Sequence, residues 1–315
     1  MKRVITYILA LAAIAACQEK MDSDKPQLTT VTLCLNAADP AGETDSKAVA
    51  PLIPDVENLI HDVWVIQYSE RGVLYTGVDK FYRTSGEDGA RYVTLQAQVM
   101  SGKSTICIIA NLKNAKLPTR EFFDVESLQA SLPDNLPQFK NTLLNTHDFL
   151  WYINTNYKPI ALPMFGYWEG TIDADSPEIG SESLNVTLGR MFNRVNVTVA
   201  NNSGSTMKKI RFTNAAAKSY YFPQINSEAL PDDAYCTQNN AIETVWTIPS
   251  GNEGTMYFYW AANFCYGPQK ATRMSFTMED GSKYSCLLTN GPVTDENPDY
   301  NLYHNCNYTV TVTLE

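Results

Sequence analysis

The stretch LNVTLGRMFNRVNVTVANN, residues 184 to 202, decides how this chain folds. Leu184, Val186 and Leu188 recur at every second position, and Val195, Val197 and Val199 do so again beyond an interval from Gly189 to Asn193. A period of two places each series on one face of a strand, because successive side chains of an extended backbone point to opposite sides. A glycine between two such series predicts either a bulge or a passage from one sheet to another. A domain boundary is placed there, with one β-sandwich over residues 29–189 and a second over 190–315.

The same alternation recurs on both sides. Upstream, TTVTLCLNA (29–37) sets Val31, Leu33 and Leu35 against Thr30, Thr32 and Cys34. The segment 56–77 predicts a hairpin, with a strand from Asp62 to Tyr68, a turn over Ser69 to Gly72 and a returning strand. Strands follow near 92–99 and 104–111, the second apolar almost throughout, as a strand covered on both faces should be. Between 118 and 158 the pattern changes. Asp124 can cap a helix in which Val125, Leu128 and Leu132 share a face and which Pro133 stops, and a second short helix is expected over Gln138 to Leu144. This insertion is expected to lie across one edge or end of the first sheet. Downstream, KKIRFTNAAA, ETVWTIPSG, TMYFYWAANF and the hairpin around Glu279-Asp280-Gly281 predict further short strands.

Composition agrees with a mainly β chain. Its 315 residues are 44% hydrophobic and include 18 Tyr and 5 Trp, enough for two cores with pleated faces. The formal net charge is −10 and no Lys/Arg cluster follows residue 3, which argues against a phosphate-tracking surface and so against nucleic acid as a partner. Lys2 and Arg3, the apolar run Val4 to Ala16 and then Ile14-Ala15-Ala16-Cys17 resemble the signal peptide and lipobox of a bacterial lipoprotein. Residues 1–17 then form the signal segment ending at the lipobox; cleavage ahead of Cys17 leaves it as the lipid-bearing N-terminus, and 18–28 form a polar tether. Acyl chains contribute about 0.8 kcal/mol per buried methylene, so two or three hold a protein at an outer membrane surface.

Reactive chemistry is sparse. Gly102-Lys103-Ser104 lacks the first glycine of a phosphate loop and runs into a strand, so no helix N-terminus is there to hold an anion. His61, His147 and His304 stand in no metal spacing, and no nucleophile elbow or His-Glu-x-x-His occurs; neither a metal, a cofactor nor a catalytic residue is assigned, and the chain is not read as an enzyme. Beyond Cys17 six cysteines remain; Cys34 and Cys107 fall in apolar runs, and Cys286 and Cys306 are the candidate disulfide. Tyr167, Trp168, Tyr220, Tyr221, Tyr257, Tyr259 and Trp260 fit either a sugar-stacking platform or core packing. The C-terminal YHNCNYTVTVTLE (303–315) puts Tyr308, Val310, Val312 and Leu314 on one face and Thr309, Thr311 and Thr313 on the other, which suits a strand filling alternate pockets of a groove.

Taken in order, Cys17, LIHDVWVIQYSERGVL, TICIIANL, ALPMFG, LNVTLGRMFNRVNVTV and YHNCNYTVTVTL resemble the fimbrillin-like proteins of Bacteroidales, the type V pilin superfamily. The family's basic residue in the strand after Pro-Met-x-Gly corresponds to Arg190 or Arg194. The resemblance implies two transthyretin-like β-sandwiches, an outer-membrane lipoprotein exposed on the cell surface or in a fimbrium, and subunits joined by strand exchange. It implies that TTVTLCLNA is the removable first strand, that Lys47 is the site of proteolytic processing, and that Asn307, Tyr308, Thr309, Val310, Thr311, Val312, Thr313, Leu314 and Glu315 form the donor strand. A stalk, tip or anchor subunit is implied, with other fimbrial subunits and host or bacterial surface glycans or proteins as partners. A glycan-binding lipoprotein of a polysaccharide uptake system is the alternative.

Overall fold

The structure, a computed structural model, describes residues 25–39, 55–84, 89–113, 116–117, 120–156, 160–174, 183–222, 230–265, 267–289 and 298–315. Five strands open the chain: β1 (Leu28–Ala37), β2 (Asp62–Ser69), β3 (Lys80–Arg83), β4 (Tyr92–Met100) and β5 (Gly102–Ala110). After the insertion come β9 (Met164–Ile172) and β10 (Ser183–Arg190). The strands are ordered β3-β2-β5-β9-β10-β1-β4, but β9 and β10 meet only through Gly189 with Phe165 and Arg190 with Met164. The sheet therefore folds over at that corner into two layers, β3-β2-β5-β9 and β10-β1-β4. Alternation supplies the core between them: Val31, Leu33, Leu35, Val65, Ile106, Ile108, Leu184 and Val186 are all buried. The corner demands a glycine at 166, where a Cβ would come within 2.4 Å of the Thr187 carbonyl oxygen.

The chain crosses at Met191 into the second sandwich. β11 (Phe192–Asn201), β12 (Met207–Thr213), β13 (Lys218–Tyr220), β14 (Ile242–Ile248), β15 (Asn252–Ala261), β16 (Arg273–Met278), β17 (Lys283–Leu287) and β18 (Asn307–Leu314) follow. They give a three-stranded sheet β15-β11-β18 over a four-stranded sheet β14-β12-β16-β17. Val195, Val197, Phe212, Phe258 and Phe276 fill the space between.

The insertion differs most from what its sequence predicts. It carries a short ladder of β6 (Lys116–Leu117) with β7 (Arg120–Glu121), then α1 (Val125–Ala130), α2 (Leu136–Lys140), β8 (Leu143–Asn145) and α3 (His147–Asn156). Asp124 caps α1 as predicted, accepting from the Ser127 amide at 3.1 Å. The second helix starts earlier than Gln138, because Asn135 caps it through the Gln138 amide, and it stops at Lys140 so that 143–145 can pair with β13. Nothing in HDFLWYINTN signals α3, whose Trp, Tyr, Ile and Thr are indifferent helix formers; burial of Phe149, Leu150 and Ile153 fixes it instead.

The insertion also does not lie along an edge or end. Phe123, Phe139, Phe149 and Ile153 cover the outer face of β2 and β5, over Trp64, Ile66, Cys107 and Ile109, and continue without a break into the core of the second sandwich. The returning arm of the first hairpin is likewise reduced to bridges of Leu74 with Tyr68 and Val73 with Asn135, and the full partner of β2 on that side is β3.

Candidate functional site

The C-terminal strand β18 is an edge strand. It pairs in parallel with β11, Tyr308 opposite Val195, Val310 opposite Val197 and Val312 opposite Val199, and among the described residues no strand pairs with its other side. Its apolar face is incompletely covered: Leu314 is buried, whereas Tyr308, Val310 and Val312 are half-buried and Thr309, Thr311 and Thr313 exposed. Edges are commonly guarded by lysine, proline or a bulge, and TVTVTL has none of these.

The root of β18 is held far more firmly than its length. Asn305, in the left-handed region at φ 50°, accepts from the backbone amide and Nε of Arg190 at 3.3 and 3.2 Å. Arg190 Nη2 donates to Asn307 Oδ1 at 3.0 Å, and the Arg194 amide donates to the Cys306 carbonyl at 2.9 Å. Behind them lies a buried charge cluster. Glu57, from a 3-10 turn ahead of β2, pairs with Arg190 Nη1 at 2.9 Å and Arg194 Nη1 at 3.6 Å, and accepts the Tyr259 hydroxyl. Glu57, Arg190 and Arg194 are at most 1% exposed. Burial pulls the Arg190 guanidinium below its ordinary pKa while Glu57 draws it back up; burial and then Glu57 push the Tyr259 hydroxyl far above its own. One carboxylate thus joins the first sandwich to two arginines of the sandwich junction and, through Arg190, to the start of the last strand.

The first strand is the opposite case. β1 lies inside its sheet, parallel to β10 and antiparallel to β4, with Val31, Leu33, Leu35 and Ala37 buried at 3% or less. Its far end touches the root of β18, since Asn305 Nδ2 donates to the Asp39 carbonyl at 3.2 Å. The two strands also match in pattern. TVTLCL (30–35) and TVTVTL (309–314) share Thr, Val, Thr and Leu at the first, second, third and last places. Each presents three aliphatic side chains inward and runs parallel to one neighbour.

No protein-family model matches the chain, and no curated protein matches its sequence. Solved structures do match. The tip fimbrial protein Mfa3 of Porphyromonas gingivalis, in a C-terminally truncated form, is similar with a TM-score of 0.60 at 13% identity, over 90% of this chain and 94% of that one. The fimbrilin FimA of Porphyromonas gingivalis is similar with a TM-score of 0.52 at 11% identity, over 90% of each chain. The chain has the fold of Bacteroidales fimbrial proteins.

Within this fimbrial fold the other sequence candidates fall as follows. Cys17 and Lys47 lie outside the described residues. Cys286 and Cys306 are free thiols rather than a disulfide, as are the other four described cysteines. Tyr284, two residues from Cys286, donates its hydroxyl to the Glu315 carbonyl at 2.7 Å, whereas Cys306 precedes the opposite end of the eight-residue β18. At about 3.3 Å per residue that strand separates the two sulfurs by far more than a disulfide spans. Burial raises both thiols, Cys286 to about 11.

The aromatic residues do not assemble into a platform. Trp260, Tyr259 and Tyr221 are buried, and Trp168 lies over Gly170 against the first core. Tyr167 stays 48% exposed but packs on Phe222, ring centroids 4.9 Å apart. His304 is half-buried at the root of β18, and its Nδ1 makes no hydrogen bond. Sequence reasoning missed Glu57, Asn154 and Asn305. Asn154 ties α3 to β15 by donating to the Tyr259 carbonyl and accepting its amide, at 2.9 and 2.8 Å. A lone Glu in VENLI (56–60), ahead of a strand, carries no signal of its destination; only the apolar residues flanking it hint at burial.

Proposed function

We propose that this chain is a structural, non-enzymatic subunit or accessory component of cell-surface fimbriae, assembled by β-strand complementation and supporting adhesion or biofilm formation. The observation that carries the reading is the pairing of an unguarded, half-covered C-terminal edge strand with an interior first strand of the same pattern. Loss of β1 would leave the inward pockets of Val31, Leu33 and Leu35 and the hydrogen-bonding edges of β10 and β4 open. Val310, Val312 and Leu314 of a second copy have the spacing to fill them, and the backbone of β18 the direction to pair. The fimbrial names borne by Mfa3 and FimA support the setting. Lipid attachment at Cys17 on the outer membrane and processing after Lys47 complete the proposal: a chain that keeps its first strand acts as an anchor or cap, and one that loses it polymerises.

Two measurements test this. The mass of the mature N-terminus on intact cells reports lipidated Cys17 in the first case and a chain beginning at Ala48 in the second. A chain lacking residues 307–315 should still be exported and be missing from polymers; normal assembly by the truncated chain overturns strand donation.

A further inference from the structure

Among the described residues β4 has one strand neighbour, β1, and none on its other edge. Loss of β1 would leave β4 with no strand partner at all. β4 runs antiparallel to β1, and β1 parallel to β10, so β4 and β10 are antiparallel to one another. Neighbouring strands lie about 4.8 Å apart, which makes the gap left between β10 and β4 about 10 Å wide, room for one strand. Two unpaired antiparallel edges across such a gap would close and pair with each other unless something held them apart.

Side chains of the opposite layer hold β4. Gln67 follows Val63 and Val65 on the face of β2 that enters the first core, and it is fully buried. A buried amide is costly in apolar surroundings unless its groups are matched, and here they are matched to a strand edge. Gln67 Oε1 accepts the Met100 amide at 2.7 Å, and Nε2 donates to the Met100 carbonyl at 2.7 Å and to Ser104 Oγ at 3.0 Å. Two residues back along β4, the Tyr82 hydroxyl of β3 accepts the Gln98 amide at 3.1 Å, and Lys80 Nζ donates to Gln98 Oε1 at 2.8 Å. Ahead of β4, Ala90 exchanges both backbone bonds with Ile60, at 2.8 and 3.4 Å. β10 is fixed by another route, its corner with β9 and the pair of Arg190 with Glu57. β1 differs from both of these walls. Among the described residues its hydrogen bonds run to β10, to β4 and to the turns at its ends, and only its apolar side chains reach the opposite layer.

We propose that Gln67, Tyr82 and Lys80 form a clamp that keeps β4 in place when β1 leaves, so that the vacated slot stays open to one incoming strand. The proposal rests on the reading of β1 as the strand that is exchanged. Gln67 gives the edge of β4 that faces away from β1 a donor and an acceptor, as a further strand would, and leaves the edge that faced β1 free for the newcomer. The pockets of Val31, Leu33 and Leu35 then keep their width. An incoming strand meets a preorganised slot and spends no binding energy pulling β4 away from β10. An apolar side chain at position 67 would fill the same space in the core and hold nothing.

The test uses the full chain with a recognition site for a sequence-specific protease placed in the segment 40–54. Cutting there leaves β1 bound without a covalent link, and an excess of a fluorescent peptide of residues 27–39 replaces it. Gln67→Met should weaken that peptide tenfold or more and Tyr82→Phe, which keeps the ring and removes the acceptor, about threefold. The melting temperatures of the uncut variants should change little, because β1 still holds β4 there. In the cut parent freed of its first strand, the Gln98 and Met100 amides should stay protected from hydrogen exchange, and in Gln67→Met they should lose that protection. If Gln67→Met does not fold, Tyr82→Phe decides. Peptide binding unchanged in the variants, unprotected Gln98 and Met100 amides in the freed parent, or a first strand that never exchanges each overturns the clamp. A peptide of residues 307–315 is the second probe: if it fails to compete while the 27–39 peptide binds in a Gln67-dependent way, the clamp stands and donation by β18 falls.

Discussion

At the residue scale, the Glu57 cluster is where the molecule has most at stake. Ion pairs taken out of water gain little over well-packed apolar groups, yet removing one partner strands the other, at about 3–5 kcal/mol. Glu57→Ala leaves Arg190 and Arg194 buried without their carboxylate. Chemical denaturation should therefore show a loss of about 3–5 kcal/mol, and the double variant Glu57→Leu with Arg190→Met a smaller one. His304 gives a pH signature at the same place. Burial lowers its folded-state pKa below 6.5, so the unfolded chain binds the proton more readily. Its contribution is complete above about pH 6.5 and declines as the pH falls through the folded value. His304→Phe should flatten that part of the stability profile measured between pH 7.5 and 5.

At the scale of elements, β18 combines a fixed root with a loosely covered body. Asn305 and Asn307 hold the root through Arg190, while three of its four inward apolar side chains remain half-buried. Asn307→Ala removes an acceptor from a buried guanidinium. It should accelerate amide hydrogen exchange over 308–314 at least tenfold, while β12 and β16 stay protected; equal exchange in variant and parent would show that the root does not restrain the strand. Asn305 also reaches the Asp39 carbonyl just beyond β1, so the two strands proposed to exchange share one joint. A chain beginning at Ala48 should show faster exchange in β18 than the intact chain, because the joint has lost that contact.

At the scale of the whole molecule, one apolar core runs from the outer face of β2 and β5 through the helical insertion into the second sandwich. Phe149 of α3 stacks on Phe192 of β11, ring centroids 5.4 Å apart, at the centre of that continuity. Calorimetry should show a single unfolding transition for the intact chain, and Phe149→Ala, costing about 3–5 kcal/mol, should split it in two. Two separate transitions in the parent chain would mean that the shared core does not couple the sandwiches.

The sequence by itself determined the long alternating strands and which of their faces are apolar. In 184–202, 29–37 and 307–315 a period of two is a local property of the chain; the structure buries the first two series and half-covers the third. It determined the cap at Asp124 for the same reason, since a side chain and an amide three residues on meet within one turn. What only the tertiary structure decided concerns partners distant in sequence. α3 exists because the core needs Phe149, Leu150 and Ile153, against the modest preference of its own residues. The charge on Glu57 is matched 133 residues away at Arg190, a spacing no periodicity encodes. TVTLCL became an interior strand and TVTVTL an edge strand from nearly the same pattern, because alternation fixes which side of a strand faces a core and carries no information about how many neighbours will pair with its backbone.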